Sequence, residues 1–335
     1  MSEAAAISST DDPEIVKQAD AAVEALSKVR SEIGKAVFGQ DRVVELTLSA
    51  ILAGGHALLI GAPGLAKTRL VETSARALGL EWGRVQFTPD LMPGDILGSE
   101  ILDETETGRS FRFVKGPIFT SLLMADEINR ASPRTQSALL QAMQERHVTI
   151  AGASYDLPKP FHVLATQNPI EQEGTYPLPE AQLDRFLLRI NVDYPDAETE
   201  RRILVETTGT KDQIVQPVLD PEKLIAIQTL VRRMPVPETV LAAIIKLVRS
   251  ARPEQSDHAE VRKRVEWGPS PRAGQALMLA ARARALLRGR LAPSLDDVQA
   301  LAEPALGHRM ALAYDPTGTG APLSALISEL VTQAG

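Results

Sequence analysis

The run Gly61-Ala62-Pro63-Gly64-Leu65-Ala66-Lys67-Thr68 constrains this chain more than any other feature, because of what flanks it. The apolar stretch Ala57-Leu58-Leu59-Ile60 before it has the length of a buried strand, and the stretch from Arg69 to Gly79 after it has helical composition. Strand, glycine loop and helix in that order make a phosphate cradle. Glycines let backbone N–H groups curl round the β- and γ-phosphates, and the helix N-terminus adds positive potential. Lys67 then bridges phosphate oxygens and Thr68 ligates Mg²⁺, so a nucleoside triphosphate, ATP or GTP, is the expected ligand. One position departs from the general pattern: Ala66 stands where glycine usually precedes the lysine.

A second signal lies downstream. Leu122-Leu123-Met124-Ala125-Asp126-Glu127 is an apolar strand ending in two carboxylates. Asp126 is expected to hold Mg²⁺ through water and Glu127 to polarise the attacking water, which turns nucleotide binding into nucleotide hydrolysis.

The surrounding sequence predicts an α/β fold. Between Val43 and Leu188, strand-like runs at 57–61, 84–88, 121–126 and 161–167 alternate with helical patterns, as in a parallel sheet covered on both faces. Two stretches break the alternation, 99–116 with arms around Glu106-Thr107-Gly108 and 146–157 with arms around Ala151-Gly152-Ala153, and read as inserted β-hairpins. Residues 1–12 read as a loose tail, Pro13 as the start of a helix running to about Val37, 13–198 as the nucleotide-binding core and 199–220 as a connector. Residues 221–335 read as a smaller all-α domain ending in a helix, whose arginines at 232, 233, 262, 264, 282, 284, 288 and 290 are expected mostly on solvated helix faces.

Composition excludes several functions. Cysteine is absent, which rules out a disulfide framework, a thiolate metal site and a cysteine nucleophile. A net charge of -7 and only 4% aromatic residues disfavour nucleic acid as the main partner. The histidines at 56, 147, 162, 258 and 308 show no ligand spacing, so the metal is expected to arrive with the nucleotide. Neither a signal sequence nor a run of about 18 apolar residues is present, and a cytoplasmic location is expected.

The run from Gly116 through Gly152, GPIFTSLLMADEINRASPRTQSALLQAMQERHVTIAG, continuing through FHVLATQNPIEQEGTYPLPEAQLDRF, closely resembles the MoxR family of AAA+ ATPases. With the phosphate loop and the Gly-Pro-Ser-Pro-Arg-Ala segment at 268–273, the likeness covers about residues 30 to 310. Gly-Leu-Ala-Lys-Thr resembles the usual loop of that family, which accounts for Ala66. The resemblance implies an AAA+ core with inserted hairpins followed by an all-α lid, ATP/ADP and Mg²⁺ as ligands, and a homo-oligomeric ring, a hexamer, acting on a protein client.

By the same resemblance, Asn168 is sensor 1, orienting the hydrolytic water, although an Asn capping a turn before Pro169 fits the same position. Arg185, in Leu-Asp-Arg-Phe, resembles the arginine finger that a neighbouring subunit inserts against the γ-phosphate. Arg272 resembles sensor 2, reaching back to the γ-phosphate from a helix of the lid. Val37, Phe38, Gly39 and Gln40 resemble the segment lining the adenine pocket, with Tyr194 as a further neighbour of the base. Ala62, Pro63, Gly64, Leu65, Ala66, Lys67, Thr68 and Arg69 complete the nucleotide contacts. Both hairpins are expected to face a central pore, and a protein with a von Willebrand factor type A domain is the implied partner. Alternatives are a DNA-directed motor of helicase type, a magnesium-chelatase-type subunit and a small-molecule kinase on the same loop; the wording of the long motif favours MoxR.

Overall fold

In a computed structural model, residues 13–105, 108–170, 174–209, 214–315 and 320–334 are described. The proposed tail at 1–12 and the turn at 106–107 lie outside them. The first helix, α1 (Pro13–Gly34), ends before Val37, and α2 (Asp41–Leu52) follows it. The core then runs β1 (Ala57–Ile60), α3 (Lys67–Ala77), β2 (Trp82–Gln86), α4 (Pro93–Leu97), β3 (Gly98–Thr105), β4 (Gly108–Lys115), β5 (Leu122–Asp126) and α5 (Pro133–Glu145). It continues through β6 (His147–Ile150), β7 (Ala153–Asp156), β8 (His162–Gln167), α6 (Glu180–Leu183), β9 (Leu188–Asn191) and α7 (Ala197–Thr207).

Five strands pair in the order β2-β5-β8-β1-β9, all parallel. Each connection crosses a face of the sheet, so apolar residues are buried on both sides, and β5 is buried along its whole length. Four of the strands match the expected runs; β9 was not anticipated, because Leu-Arg-Ile-Asn alternates and carries a charge. β1 lies between β8 and β9, and the loop after it shares a cavity with the C-terminal ends of β8 and, one strand further on, β5, the end of the strands at which open α/β sheets bind ligands.

Both hairpins are present. β3 pairs antiparallel with β4 from Gly98↔Lys115 to Thr105↔Gly108, and β6 with β7 around Ala151 and Gly152. Those two residues have φ of 48° and 85°, the positive pair that a two-residue hairpin turn demands. The hairpins meet where Phe113 stacks on Tyr155, ring centroids 4.1 Å apart.

Beyond the core lie α8 (Pro221–Arg233), α9 (Glu238–Ser250), α10 (Ala259–Arg264), α11 (Pro271–Leu287), α12 (Leu295–Leu306) and α13 (Leu323–Ala334). The expectation of an all-helical segment needs one amendment: β10 (Val265–Trp267) pairs antiparallel with β11 (Ala311–Leu312). One apolar cluster fills one side of the sheet and continues between α1, α2, α8, α9, α11, α12 and α13. A second covers the other face under α5.

Of the arginines expected mostly on solvated faces, Arg232, Arg233, Arg262 and Arg288 are exposed, and Arg284 is the exception. Arg284 is buried and donates to Asp297 Oδ1 at 2.6 Å, with Glu45 Oε2 at 3.4 Å; Arg288 binds Glu45 at 2.6 Å and Arg290 binds Asp297 at 2.7 Å. Arg284 and Arg288 tie the end of α11 to α2 through Glu45, and Arg284 and Arg290 hold the start of α12 through Asp297.

Candidate nucleotide site

The loop after β1 turns into α3 without a side-chain cap. Ala66, at φ 55° and ψ 21°, occupies the N-cap position and makes no capping hydrogen bond, so the first N–H groups of α3 are left for a ligand. A Cβ on Gly61 would sit 2.5 Å from the carbonyl oxygen of Val192, so glycine is required for the loop to pass β9 closely. Lys67 Nζ donates to the carbonyls of Gly61 at 2.6 Å and Ala62 at 2.7 Å, folding the side chain over the loop. Burial lowers the Lys67 pKa, while Asp126 and Glu127 oppose that shift.

A cavity of about 430 Å³ brings the loop together with the ends of three strands, and Lys67, Thr68, Asp126, Glu127, Thr166 and Asn168 line it. Arg69 lies on its wall. Asp126 Oδ2 accepts two hydrogen bonds from Arg84, from Nη2 at 2.6 Å and Nε at 3.0 Å, and its Oδ1 accepts from Thr166 Oγ1 at 2.6 Å. Glu127 sits in the left-handed region, φ 56° and ψ 50°, and donates its backbone N–H to the same Thr166 Oγ1 at 2.8 Å. Its Oε2 accepts from Gln86 Nε2 at 2.8 Å and Arg130 Nη1 at 3.1 Å. Arg84, Gln86, Arg130 and Thr166 were not picked out from the sequence. For Arg84, Gln86 and Thr166 the signal lay in strand register, with Gln86 opposite Asp126 and β5 paired to β8, which no local pattern reveals, whereas Arg130 stands three residues after Glu127 in the turn that follows β5.

Asn168 is buried on the cavity wall. Its Oδ1 accepts from the N–H of Ile170 at 3.1 Å, the turn cap considered for it, while Nδ2 has no partner among the described residues. A buried amide donor left over beside a phosphate-sized space suits a ligand oxygen or a water. Thr68 and Asp126 both line this cavity, and a hydroxyl and a carboxylate are hard oxygens of the kind Mg²⁺ takes when phosphates supply the rest of its shell.

A second cavity, also about 430 Å³, adjoins the first along Gly64, Leu65, Ala66 and Arg69 and is closed by Phe38, Gln40, Pro195 and Ile203. Gln40 Nε2 donates to the Leu65 carbonyl at 3.1 Å, and the Phe38 ring lies 4.6 Å from the Arg202 guanidinium. Three of the residues expected near the base, Val37, Gly39 and Tyr194, do not line this cavity. Val37 is core and faces away from this cavity, and Tyr194 is 71% exposed and borders a different hollow with Arg189 and Glu303. Gly39, at φ 66°, serves a close approach: a Cβ there would meet Thr199 of α7 at 2.3 Å.

Arg185 and Arg272 line neither cavity. Arg272 Nη1 faces Asp184 Oδ2 at 3.4 Å, next to Arg185, because α11 packs against α2 and not over the loop. Arg272 is thus held against the residue that precedes Arg185.

A parallel sheet with this loop, an acidic pair at the end of β5 and a helical segment after the core defines a P-loop ATPase of the AAA+ class. Residues 56–188 match the family described as "ATPase family associated with various cellular activities (AAA)", and 258–330 match the AAA lid domain. The chain is 45% identical to Chaperone MoxR1 of Mycobacterium tuberculosis, covering 88% of this chain and 78% of that one. It is 34% identical to Protein MoxR of Methylorubrum extorquens over 86% and 88% of the two chains. A solved structure from Cytophaga hutchinsonii superposes with a TM-score of 0.87 at 37% identity, covering 94% of this chain and 96% of the other. The chain belongs to the MoxR family of AAA+ ATPases, and its activity is ATP hydrolysis. Among the described residues no helix is long and apolar enough to cross a membrane.

Proposed function

We propose that the chain is a Mg²⁺-dependent motor that hydrolyses ATP between subunits of a ring and uses the cycle to remodel a protein client. The observation that carries this is the separation of the hydrolytic groups: Lys67, Asp126 and Glu127 share one cavity, while Arg185 and Arg272 stand together outside it. A neighbouring copy that brings its Arg185 edge to this cavity would complete the charge neutralisation that phosphoryl transfer needs.

Glu127 takes a proton from the attacking water, which bonds to the γ-phosphorus as the bond to the bridging oxygen of ADP breaks. Lys67 and the loop N–H groups hold the phosphates, Asn168 orients the water through its free amide, and the neighbour's Arg185 and Arg272 meet the charge on the γ-phosphate. Thr68 and Asp126 would hold Mg²⁺, which neutralises charge shared by the β- and γ-phosphates. Phe38, Gln40 and Pro195 border the space for the base.

The client-facing part in this scheme is the β3–β4 hairpin, where Phe111 is 72% and Leu102 51% exposed, braced on the second hairpin through Phe113 and Tyr155. A hexamer, a partner with a von Willebrand factor type A domain and assistance in maturation or metal insertion follow from the family likeness. Because ATP is supplied there, the scheme assigns the motor to the cytoplasm.

Phosphate release from purified protein tests the scheme. Lys67→Ala is expected to lose nucleotide binding, Glu127→Gln to bind but not turn over, and Arg185→Ala to bind but not turn over. Wild-type turnover by Arg185→Ala at every protein concentration refutes the shared site. The Glu127→Gln chain is further expected to retain client protein in ATP but not in ADP, and to lose that retention on Phe111→Asp.

A further inference from the structure

Arg309 follows α12, is 2% exposed, and directs its guanidinium at the segment that carries Arg185. Nε donates to Asp184 Oδ1 at 2.6 Å, and Nη2 donates to the carbonyls of Asp184 at 3.2 Å and Phe186 at 2.7 Å. Nη1 donates to the carbonyls of Leu187 at 3.2 Å and Ala305 at 2.6 Å. A guanidinium has five N–H groups. All are used here, and only the bond to Ala305 leaves the 184–187 segment.

His308 reinforces the same segment, its Nε2 lying 2.9 Å from the Phe186 carbonyl. Burial holds that ring neutral, so Nε2 carries the hydrogen it donates. The other oxygen of Asp184 meets Ser270 Oγ and Arg272 Nη1, both at 3.4 Å, at the start of α11. One carboxylate thus joins two points of the helical region to the residue before Arg185. A buried ion pair adds little net stability over an apolar filling of the same volume, but it admits one geometry.

We propose that Arg309 is a positioning residue for Arg185: it locks the backbone from Asp184 to Leu187 and so fixes the direction in which Arg185 is presented to the adjoining subunit. This rests on the trans role of Arg185 given above. A shift in α12 is then carried to the neighbour's γ-phosphate through Arg309, with no contact between Arg309 and nucleotide.

The test uses the full chain with Arg309→Lys, which keeps the charge but offers three donors in place of a planar five. Turnover is expected to fall on the order of 10- to 100-fold, as an ångström-scale displacement of a transition-state group does, while the KM for ATP stays within about twofold. Mixing supplies the readout that mere structural damage would not move. Arg309→Lys retains its own loop and Lys67→Ala retains its own Arg185, so equimolar mixtures are expected to hydrolyse ATP faster than either variant alone.

Arg185→Ala mixed with Lys67→Ala is the reference. Recovery in the reference without recovery for Arg309→Lys overturns the role of Arg309; no recovery in the reference overturns the trans finger itself. Should Arg309→Lys fail to fold, Asp184→Asn carries the test, since it leaves the four carbonyl bonds of Arg309 in place. Wild-type turnover in Asp184→Asn, or a loss that mixing does not rescue while the reference recovers, overturns the proposal equally.

Discussion

Thr166 offers the sharpest test of how the acidic pair is held. It is fully buried near the end of β8, and its one hydroxyl serves both carboxylate residues, donating to Asp126 Oδ1 at 2.6 Å and accepting from the Glu127 N–H at 2.8 Å. Thr166→Val keeps the branched shape and removes only that oxygen. A hydrogen bond to a charged group contributes about 1.5–3 kcal/mol, and leaving a buried N–H unpaired costs about 1–3 kcal/mol. Asp126 keeps its two bonds from Arg84, so the lower ends apply and the combined loss is about 2.5 kcal/mol.

The kinetic consequence is larger. Glu127 holds a left-handed conformation, φ 56°, that a side chain adopts only where its surroundings enforce it, and the N–H to Thr166 is part of that enforcement. Once it is released, a displacement of about 1 Å at the carboxylate costs turnover on the order of 100-fold. The assay is phosphate release at saturating ATP alongside thermal melting, with Thr166→Ser, which retains the oxygen, expected to recover most of the rate. Turnover of Thr166→Val within about twofold of wild type would show that this hydroxyl does not hold the site.

Asp297 is fully buried and accepts from Arg284, Arg290 and Ser294; Asp297→Asn strands Arg284 beside Glu45 alone and is expected to cost about 3 kcal/mol in denaturant titration, whereas Asp296→Asn on the exposed side of the same turn is expected to cost under about 1 kcal/mol. Burial pushes His56 down to about 3 and His162 down to about 4, so the unfolded chain, with histidines near 6.5, takes up protons that the folded rings refuse. Their contribution is therefore complete above pH 6.5 and is lost as pH falls toward 4, by up to about 1.4 kcal/mol per pH unit for each ring, and a melting temperature that stays flat between pH 7 and 5 would contradict it. Gly39→Ala forces a Cβ against Thr199 and displaces α7 from the cavity beside Phe38; ATP affinity measured by fluorescent-analogue displacement is expected to fall several-fold, with the loop chemistry otherwise intact.

The sheet, the phosphate loop and the acidic pair were legible because each is encoded by consecutive residues: an apolar run, a glycine turn, a strand ending in carboxylates. The hairpins were legible for the same reason, as two arms around a turn. What escaped depends on register or on distant partners. Arg84, Gln86 and Thr166 act at the site only because β2, β5 and β8 lie side by side, and Arg284 meets Glu45 across 239 positions of chain. An arginine at helical spacing carries no mark of whether it faces water or a buried glutamate. Tyr194 is a different case: its position at the end of the core is visible in the sequence, but its direction is not, and the chain turns it outward into a neighbouring hollow.

The position of Arg272 follows from where the helical region finds its core. Leu277 and Ala280 of α11 belong to the same apolar cluster as Leu48 and Ile51 of α2, and the Glu45–Arg284–Asp297 network closes that seam. Bringing Arg272 over its own loop would require lifting α11 from α2. Each 400 Å² of apolar surface exposed in doing so costs about 10 kcal/mol, before the buried charges are separated. A charged hydrogen bond from Arg272 to a phosphate returns only about 1.5–3 kcal/mol. The same bond made to a neighbour's nucleotide asks for no such opening, because Arg272 is already held by Asp184, the residue that precedes Arg185. In the proposed ring, the helical region is thus better suited to sense the triphosphate of the next subunit than its own.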